Sequence, residues 1–281
     1  MGSEMCIRDR VLGGFACLGF FALRPLAQHL FPEKTQVVTI QEDNQSEEDL
    51  AEGGDTTEQN DAQNQQEISY VQMMSKAYEK ALTAKKSVVS VTKGAEQENW
   101  NAEATGIDES VSGVIVADNG QEILILSYAS ICEDAKEWCV TFSDKSEYKA
   151  SLKKKDKNSG FAIFAVDKKS LSDATWSASS VASLGNSNLT EQGDVIFALG
   201  NIFGYAGGSG YGIVSSSNYK EIGRDGEYSV IATDMSSASE GTGILFNLDG
   251  EVIGMISSDI WKDRGVRTAN AYAISDLKLV I

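Results

Sequence analysis

Histidine is nearly missing: the 281-residue chain has one, His29, and none after it. Beyond residue 29, therefore, no imidazole is available as a general base, as half of a Cys–His pair or as a zinc ligand. Proline is almost as scarce, with Pro25 and Pro32 as the two copies. Four cysteines are too few for a disulfide scaffold. Positive charge is short as well: 24 Lys and Arg stand against 41 Asp and Glu, a net charge of −17. That sign is wrong for a nucleic-acid surface, so no nucleic-acid partner is expected.

The chain divides by composition into three stretches. Val11–Leu23 (VLGGFACLGFFAL) is apolar and uncharged. It is short against the roughly 20 residues a spanning helix needs, but it reaches that length through Phe31 if Arg24 snorkels. Arg8 and Arg10 precede it and acidic sequence follows, so residues 11–31 are expected to be a single-pass transmembrane helix with the remainder exported. A cleaved signal peptide is the rival reading, and no clean small-x-small site follows the run. Residues 1–10 are set aside, because Glu4–Arg10 (EMCIRDR) resembles sequencing-adapter read-through and not a native leader. Between Thr35 and Ser75 there is no Lys or Arg, and residues 35–67 are dominated by Asp, Glu, Asn, Gln, Gly, Ser and Thr. Such a segment cannot bury enough apolar surface to offset its ordering entropy, so a disordered acidic linker is expected. Residues 68–86 carry Tyr70, Met74, Ala77, Tyr78, Ala81 and Leu82 at helical spacing, which predicts a short amphipathic helix.

From Ser87 to Ile281 the pattern becomes short β-prone runs separated by turn signals such as Asp118-Asn119-Gly120 and Asp249-Gly250. About a dozen such runs and no long helix predict an all-β barrel or sandwich pair. Gly200–Gly212 (GNIFGYAGGSGYG) lacks the lysine of a phosphate-cradling loop and is expected to be a flexible loop at a cleft, with Gly207 and Gly208 on its wall. Cys132 and Cys139 bracket an acidic turn; a disulfide and two free thiols both remain open. No cofactor is expected. Neither is a metal, since the Asp-rich turns lack the carboxylate alternation of a calcium loop.

Several segments, in order, resemble the HtrA/Deg family of trypsin-like serine proteases. Residues 112–127 (SGVIVADNGQEILILS) resemble the hairpin that leads to the family's catalytic histidine, and residues 141–167 resemble the segment carrying its aspartate. Residues 182–204 (ASLGNSNLTEQGDVIFALGNIFG) and 207–216 (GGSGYGIVSS) are similar to its LGDS…GD…AIGNP and SGIVSA segments. Residues 232–257 (ATDMSSASEGTGILFNLDGEVIGMIS) resemble the loop and hairpin around its serine, and Ala271–Ile274 its closing strand. The resemblance implies a double antiparallel β-barrel over residues 87–281, with a cleft between the barrels. It also implies trimeric assembly. The family's peptide-binding PDZ domain has no counterpart among these residues.

Carried over position by position, the triad is absent. Tyr128 stands at the histidine's place and Gly160 at the aspartate's. The serine loop is one residue short, which puts Gly241 at the nucleophile, with Glu240 before it and Thr242 and Gly243 after. A phenol with a pKa of about 10 is a poor base at neutral pH. Ser239 and Thr242 are the hydroxyls a different gap placement would offer. The expectation is a membrane-anchored pseudoprotease that binds a peptide or protein partner in or near the old cleft, or pairs with active HtrA-like relatives. Two alternatives stand beside it. One is an endopeptidase with an unconventional base such as a desolvated lysine; the other is a structural envelope protein.

Overall fold

The structure, a computed structural model, describes residues 70–94, 110–222, 226–279 and 281. The expectations for residues 1–10, 11–31 and 35–67 lie outside the described residues. Among the described residues, no helix is long and apolar enough to cross a membrane.

Among the described residues, twelve strands form two closed antiparallel barrels. The first contains β1 (Val88–Lys93), β2 (Val111–Asp118), β3 (Glu122–Tyr128), β4 (Trp138–Thr141), β5 (Glu147–Lys155) and β6 (Phe161–Asp167), in spatial order β1-β2-β3-β6-β5-β4. The second contains β7 (Val195–Asn201), β8 (Gly208–Ile222), β9 (Glu227–Thr233), β10 (Thr242–Asn247), β11 (Val252–Ser257) and β12 (Ala271–Ala273), in order β10-β11-β12-β9-β8-β7. Helices are short: α1 (Tyr70–Ala84) leads into β1, while α2 (Asp173–Ser177) and α3 (Ile274–Leu277) cap connections.

Apolar runs, not alternation with polar residues, mark the central strands because these are buried on both sides. In β2, Ile115 faces the interior of the first barrel, while Val114 and Val116 face a second core between the barrels. In β3, Ile123 and Ile125 point inward and Leu126 and Tyr128 point to the seam. The same period of two divides β10: Leu245 enters the second barrel, while Ile244 and Phe246 join the seam. On the second barrel's side of the seam Phe197 stacks on its cross-strand partner Phe246, with ring centroids 5.1 Å apart. Parity along β3 is thus what delivers residue 128 to the inter-barrel core.

The helix docks through Ala77, Ala81 and Ala84, whereas Tyr78 and Leu82, expected on its apolar face, remain half-exposed. Small side chains let α1 approach β7 closely, and Lys80 Nζ donates to the Asp249 carbonyl at 3.0 Å. The glycine-rich run departs further from expectation. Residues 208–212 are strand, with Leu199 opposite Ser209 and Gly200 opposite Gly208. Ladder hydrogen bonds need no side chains, so a strand of this composition carries no hydrophobic period to read.

Candidate functional site

Tyr128 closes the inter-barrel seam. It is 5 % exposed. Its hydroxyl, with one proton to give, lies against the carbonyls of Gly243, at 2.9 Å, and of Ile256. It also accepts the Gly243 N–H at 3.3 Å. Its ring packs on Phe161 with centroids 5.3 Å apart. Burial pushes the phenol far above its ordinary value, and the hydrogen bond to Gly243 offsets this only in part. Tyr128, expected at the histidine's place, is therefore a neutral strut joining β3 to β10 and β11.

The neighbouring polar groups are occupied in the same way. The Ser112 N–H donates to Thr242 Oγ1 at 3.0 Å, and Ser112 Oγ donates to the Thr242 carbonyl at 2.9 Å. Ser112 Oγ in turn accepts the Asn201 N–H at 2.8 Å. Thr242 is 8 % exposed, so this hydroxyl is a barrel-to-barrel tie and not an available nucleophile.

The serine loop has a different conformation from the backbone nest that an oxyanion requires. Ala238–Gly241 is a turn in which the Gly241 N–H donates to the Ala238 carbonyl at 3.1 Å, and the Ala238 N–H donates to Ile202 O at 2.9 Å. Gly241 admits no side chain: a Cβ there would lie 2.3 Å from the Ile202 carbonyl oxygen and 2.5 Å from Ser237 Oγ. Ser239 and Glu240 are exposed at the turn's tip. Gly160, at the aspartate's place, has φ +78° with open space around it, and its carbonyl accepts the Ala129 N–H at 2.8 Å.

An open cleft of about 560 Å³ adjoins the seam, lined among others by Tyr128, Ser130, Asn201, Glu240, Thr242 and Asp259. Gly160 lines a neighbouring depression with Tyr128, Ser130 and Tyr272. Two buried side-chain atoms of cleft residues, Ser110 Oγ and Asn201 Oδ1, have no hydrogen-bond partner. Of the expected cleft positions, Glu240 lines it. Gly243 does not, since its backbone lies in the barrel wall against Leu199 and Ile202. Gly207 and Gly208 belong to a separate cavity of about 170 Å³ bounded by α1, β1 and β8. The pairing of β7 with β8 draws them there.

Cys132 and Cys139 are unbridged thiols, one of the two alternatives the sequence left open. Cys132 packs against the core of the first barrel; burial pushes its thiol up and Lys155 pulls it down. Cys139 follows Trp138, which faces that core, and so points outward by strand parity. There burial, then Glu147 and Glu137, push its thiol up against the opposing effect of Lys149. The two sulfurs face different charged surroundings. No group of His, Cys, Asp and Glu among the described residues could hold a metal ion.

Two features of this region had no clear signal in the sequence. One is the Ser112–Thr242 tie, which joins residues 130 positions apart. The other is the basic character of the loop at residues 262–267.

Comparisons with known proteins agree with this architecture. Residues 111–255 match the trypsin-like peptidase domain family. Curated relatives described as "Probable periplasmic serine endoprotease DegP-like" include one from Pseudomonas savastanoi pv. phaseolicola, 33 % identical over 164 residues, covering 58 % of this chain and 32 % of the relative. Another, from Halomonas elongata, is 34 % identical over the same shares. The chain thus spans about a third of the length of the curated relatives it matches. Among solved structures, the crystal structure of Deg5 superposes with a TM-score of 0.53 at 18 % identity, covering 73 % of this chain and 91 % of that one. The match over more than half of the residues, on a double barrel with the expected strand order, places this chain in the trypsin-like peptidase family, among homologues of the HtrA/DegP type.

Proposed function

We propose that this chain is a trypsin-fold pseudoprotease, exported and held at the membrane by residues 11–31, that binds a peptide or protein partner in the inter-barrel cleft. The periplasmic assignment of the curated relatives supports the export reading. The observation that carries the non-catalytic reading is Tyr128: the place of the general base holds a buried, neutral phenol hydrogen-bonded to the opposite barrel. Three further features support it. The described residues contain no histidine, position 241 excludes a serine side chain, and the Gly241 N–H is bonded within its own turn. Hydrolysis by a Ser–Lys dyad would require a dry, neutral lysine. Lys262, the lysine that shares a pocket with Ser239, is exposed and faces Asp259 at 3.6 Å.

Binding is supported by the open cleft, whose wall carries polar side chains of Ser130, Glu240 and Asp259. Partners include active HtrA-like relatives or further copies of this chain in a homotrimer. The test uses the full chain in detergent. Wild type and a Ser130→Trp variant, which fills the exposed cleft wall without touching the seam, are compared for casein cleavage and for retention of peptides from a degenerate mixture. Intact casein with peptides retained by wild type and lost in the variant is expected. Casein cleavage would overturn the pseudoprotease reading, and equal retention by both proteins would move binding out of the cleft.

A further inference from the structure

Beside the cleft lies a second recess of about 210 Å³ between the Ser237–Ser239 turn and the loop from Ser258 to Thr268. Its charged lining residues are Lys262 and Arg267, both basic, and Ser237, Ser239, Ser258 and Thr268 contribute hydroxyl-bearing positions. No acidic residue lines it, in a chain of net charge −17. Ser258 and Lys262 also line the main cleft, so the two spaces adjoin.

The loop that forms this wall is held in a specific shape. Trp261 adopts a left-handed conformation with φ +59°, unusual for a bulky residue and a form of strain that surrounding contacts must hold in place. Tyr219 meets its ring edge-on at 5.0 Å and the Arg264 guanidinium lies 5.5 Å from the ring centroid. At the base of the recess, the Ser237 N–H donates to the Arg267 carbonyl at 3.0 Å, and the Ser258 N–H donates to the Gly241 carbonyl at 3.2 Å. Lys262 has one carboxylate neighbour, Asp259 at 3.6 Å and exposed. Arg267 makes no ion pair among the described residues.

We infer that this recess is a carboxylate subsite: it takes one Asp or Glu side chain of a peptide lying in the adjoining cleft. The proposal deepens the peptide-binding reading above and rests on it. Arg267 offers a planar donor fork matched to a carboxylate, Lys262 a second positive charge, and the Ser239 and Ser258 hydroxyls donors for the remaining carboxylate lone pairs. The hydroxyls of Ser237 and Thr268 are committed to Ile202 and Asn270. Both cations are exposed, so their pull on a carboxylate is screened by salt and is expected to weaken as ionic strength rises. Glu240, exposed on the cleft wall, repels acidic residues at the neighbouring peptide position, which confines the preference to one site.

Fluorescence anisotropy on the full chain in detergent tests this with three degenerate hexapeptide mixtures. One has Glu fixed at the third position and an amidated C-terminus. The second has Gln there and an amidated C-terminus, and the third has Gln with a free C-terminal carboxylate. The Glu mixture is expected to bind about tenfold more tightly than amidated Gln, as a charge-assisted pair allows. A Lys262→Gln/Arg267→Gln variant, changed at two exposed positions and checked for an unaltered unfolding midpoint, is expected to bind the Glu and amidated Gln mixtures equally. A preference carried by the free terminus instead would reassign the carboxylate from side chain to chain end, overturning the side-chain proposal. Equal binding of all three mixtures by wild type overturns the subsite and leaves the cleft reading in place. No binding by any mixture overturns both.

Discussion

The seam between the barrels and the loop wall beside it use polar residues in opposite ways. At the seam, Tyr128, Ser112 and Thr242 direct their hydroxyls to one another or to main-chain groups of the opposite barrel. At the wall, Lys262 and Arg267 stand exposed, one with a single solvent-exposed carboxylate neighbour and the other with none among the described residues. The two regions adjoin and share loops. On the proposed pseudoprotease reading, the difference is how a catalytic centre would be lost without loss of the fold: groups at the places of acid–base chemistry serve as inter-barrel fastenings, while the surrounding loops stay open to a ligand.

The strongest way to break this contrast is to remove a fastening. Tyr128→Ala deletes a buried ring and its hydrogen bonds, with an expected loss of about 3–5 kcal/mol in denaturant unfolding. Tyr128→Phe isolates the hydroxyl at about 1–3 kcal/mol, because the Ile256 carbonyl loses a donor while remaining buried. Little change in Tyr128→Ala would mean the seam does not depend on this residue.

Restoring the family's residues sharpens the comparison from the other side. Gly241→Ser drives its Cβ into the Ile202 carbonyl, so the variant is expected to unfold earlier by several degrees and to cleave no casein. Adding Tyr128→His and Gly160→Asp is expected to leave activity at zero, since Gly160 has φ +78°, a conformation that disfavours a side chain. Casein cleavage by the triple variant would show that the loop reopens when the serine returns.

Ser112→Ala removes the acceptor of the Asn201 N–H and the donor to Thr242, with an expected cost of about 1–3 kcal/mol in the same unfolding assay. A smaller effect is expected at the thiols. Without reductant, both Cys132 and Cys139 should alkylate, slowly at neutral pH because burial raises both. Peptide mapping that finds them joined would contradict the free-thiol geometry. Smallest is the acid response of the turns. The Asp144 and Asp156 carboxylates are held below the usual range, chiefly by the backbone N–H groups of Ser146 and Asn158. A lowered folded-state value adds stability above the unfolded value of about 3.9, and that stability is lost as pH falls through the folded value. Asp144→Asn and Asp156→Asn should each lower stability slightly at pH 7, where the wild type has the full contribution, and the difference should shrink as pH falls below about 4.

Most of the architecture was legible in the sequence because both-face burial writes itself as apolar runs such as Glu122–Tyr128 and Val252–Ser257. The exceptions have physical causes. Residues 208–212 pair through main-chain bonds that leave no hydrophobic period. On α1, the docked stripe is alanine, and the larger Tyr78 and Leu82 were the more visible signal. At the site, the family resemblance singled out Tyr128, Gly160, Gly241 and Glu240, of which Tyr128 and Glu240 line the main cleft. It did not reveal that Thr242 is tied to Ser112, nor that the Gly241 N–H is turned to Ala238, because both depend on contacts that strand spacing does not encode. The basic recess was equally hidden: Lys262 and Arg267 are unremarkable in the sequence and become a pair only through the loop that carries Trp261.

The most direct test of the central claim, that the catalytic positions have become a structural seam, is reaction of the full chain with a fluorophosphonate probe, followed by mass mapping. No labelled residue is expected in wild type, because Ser239 lacks a base and Thr242 is buried in the seam. Labelling at Ser239 that disappears in Ser239→Ala would contradict the account and show a working nucleophile in a domain without histidine.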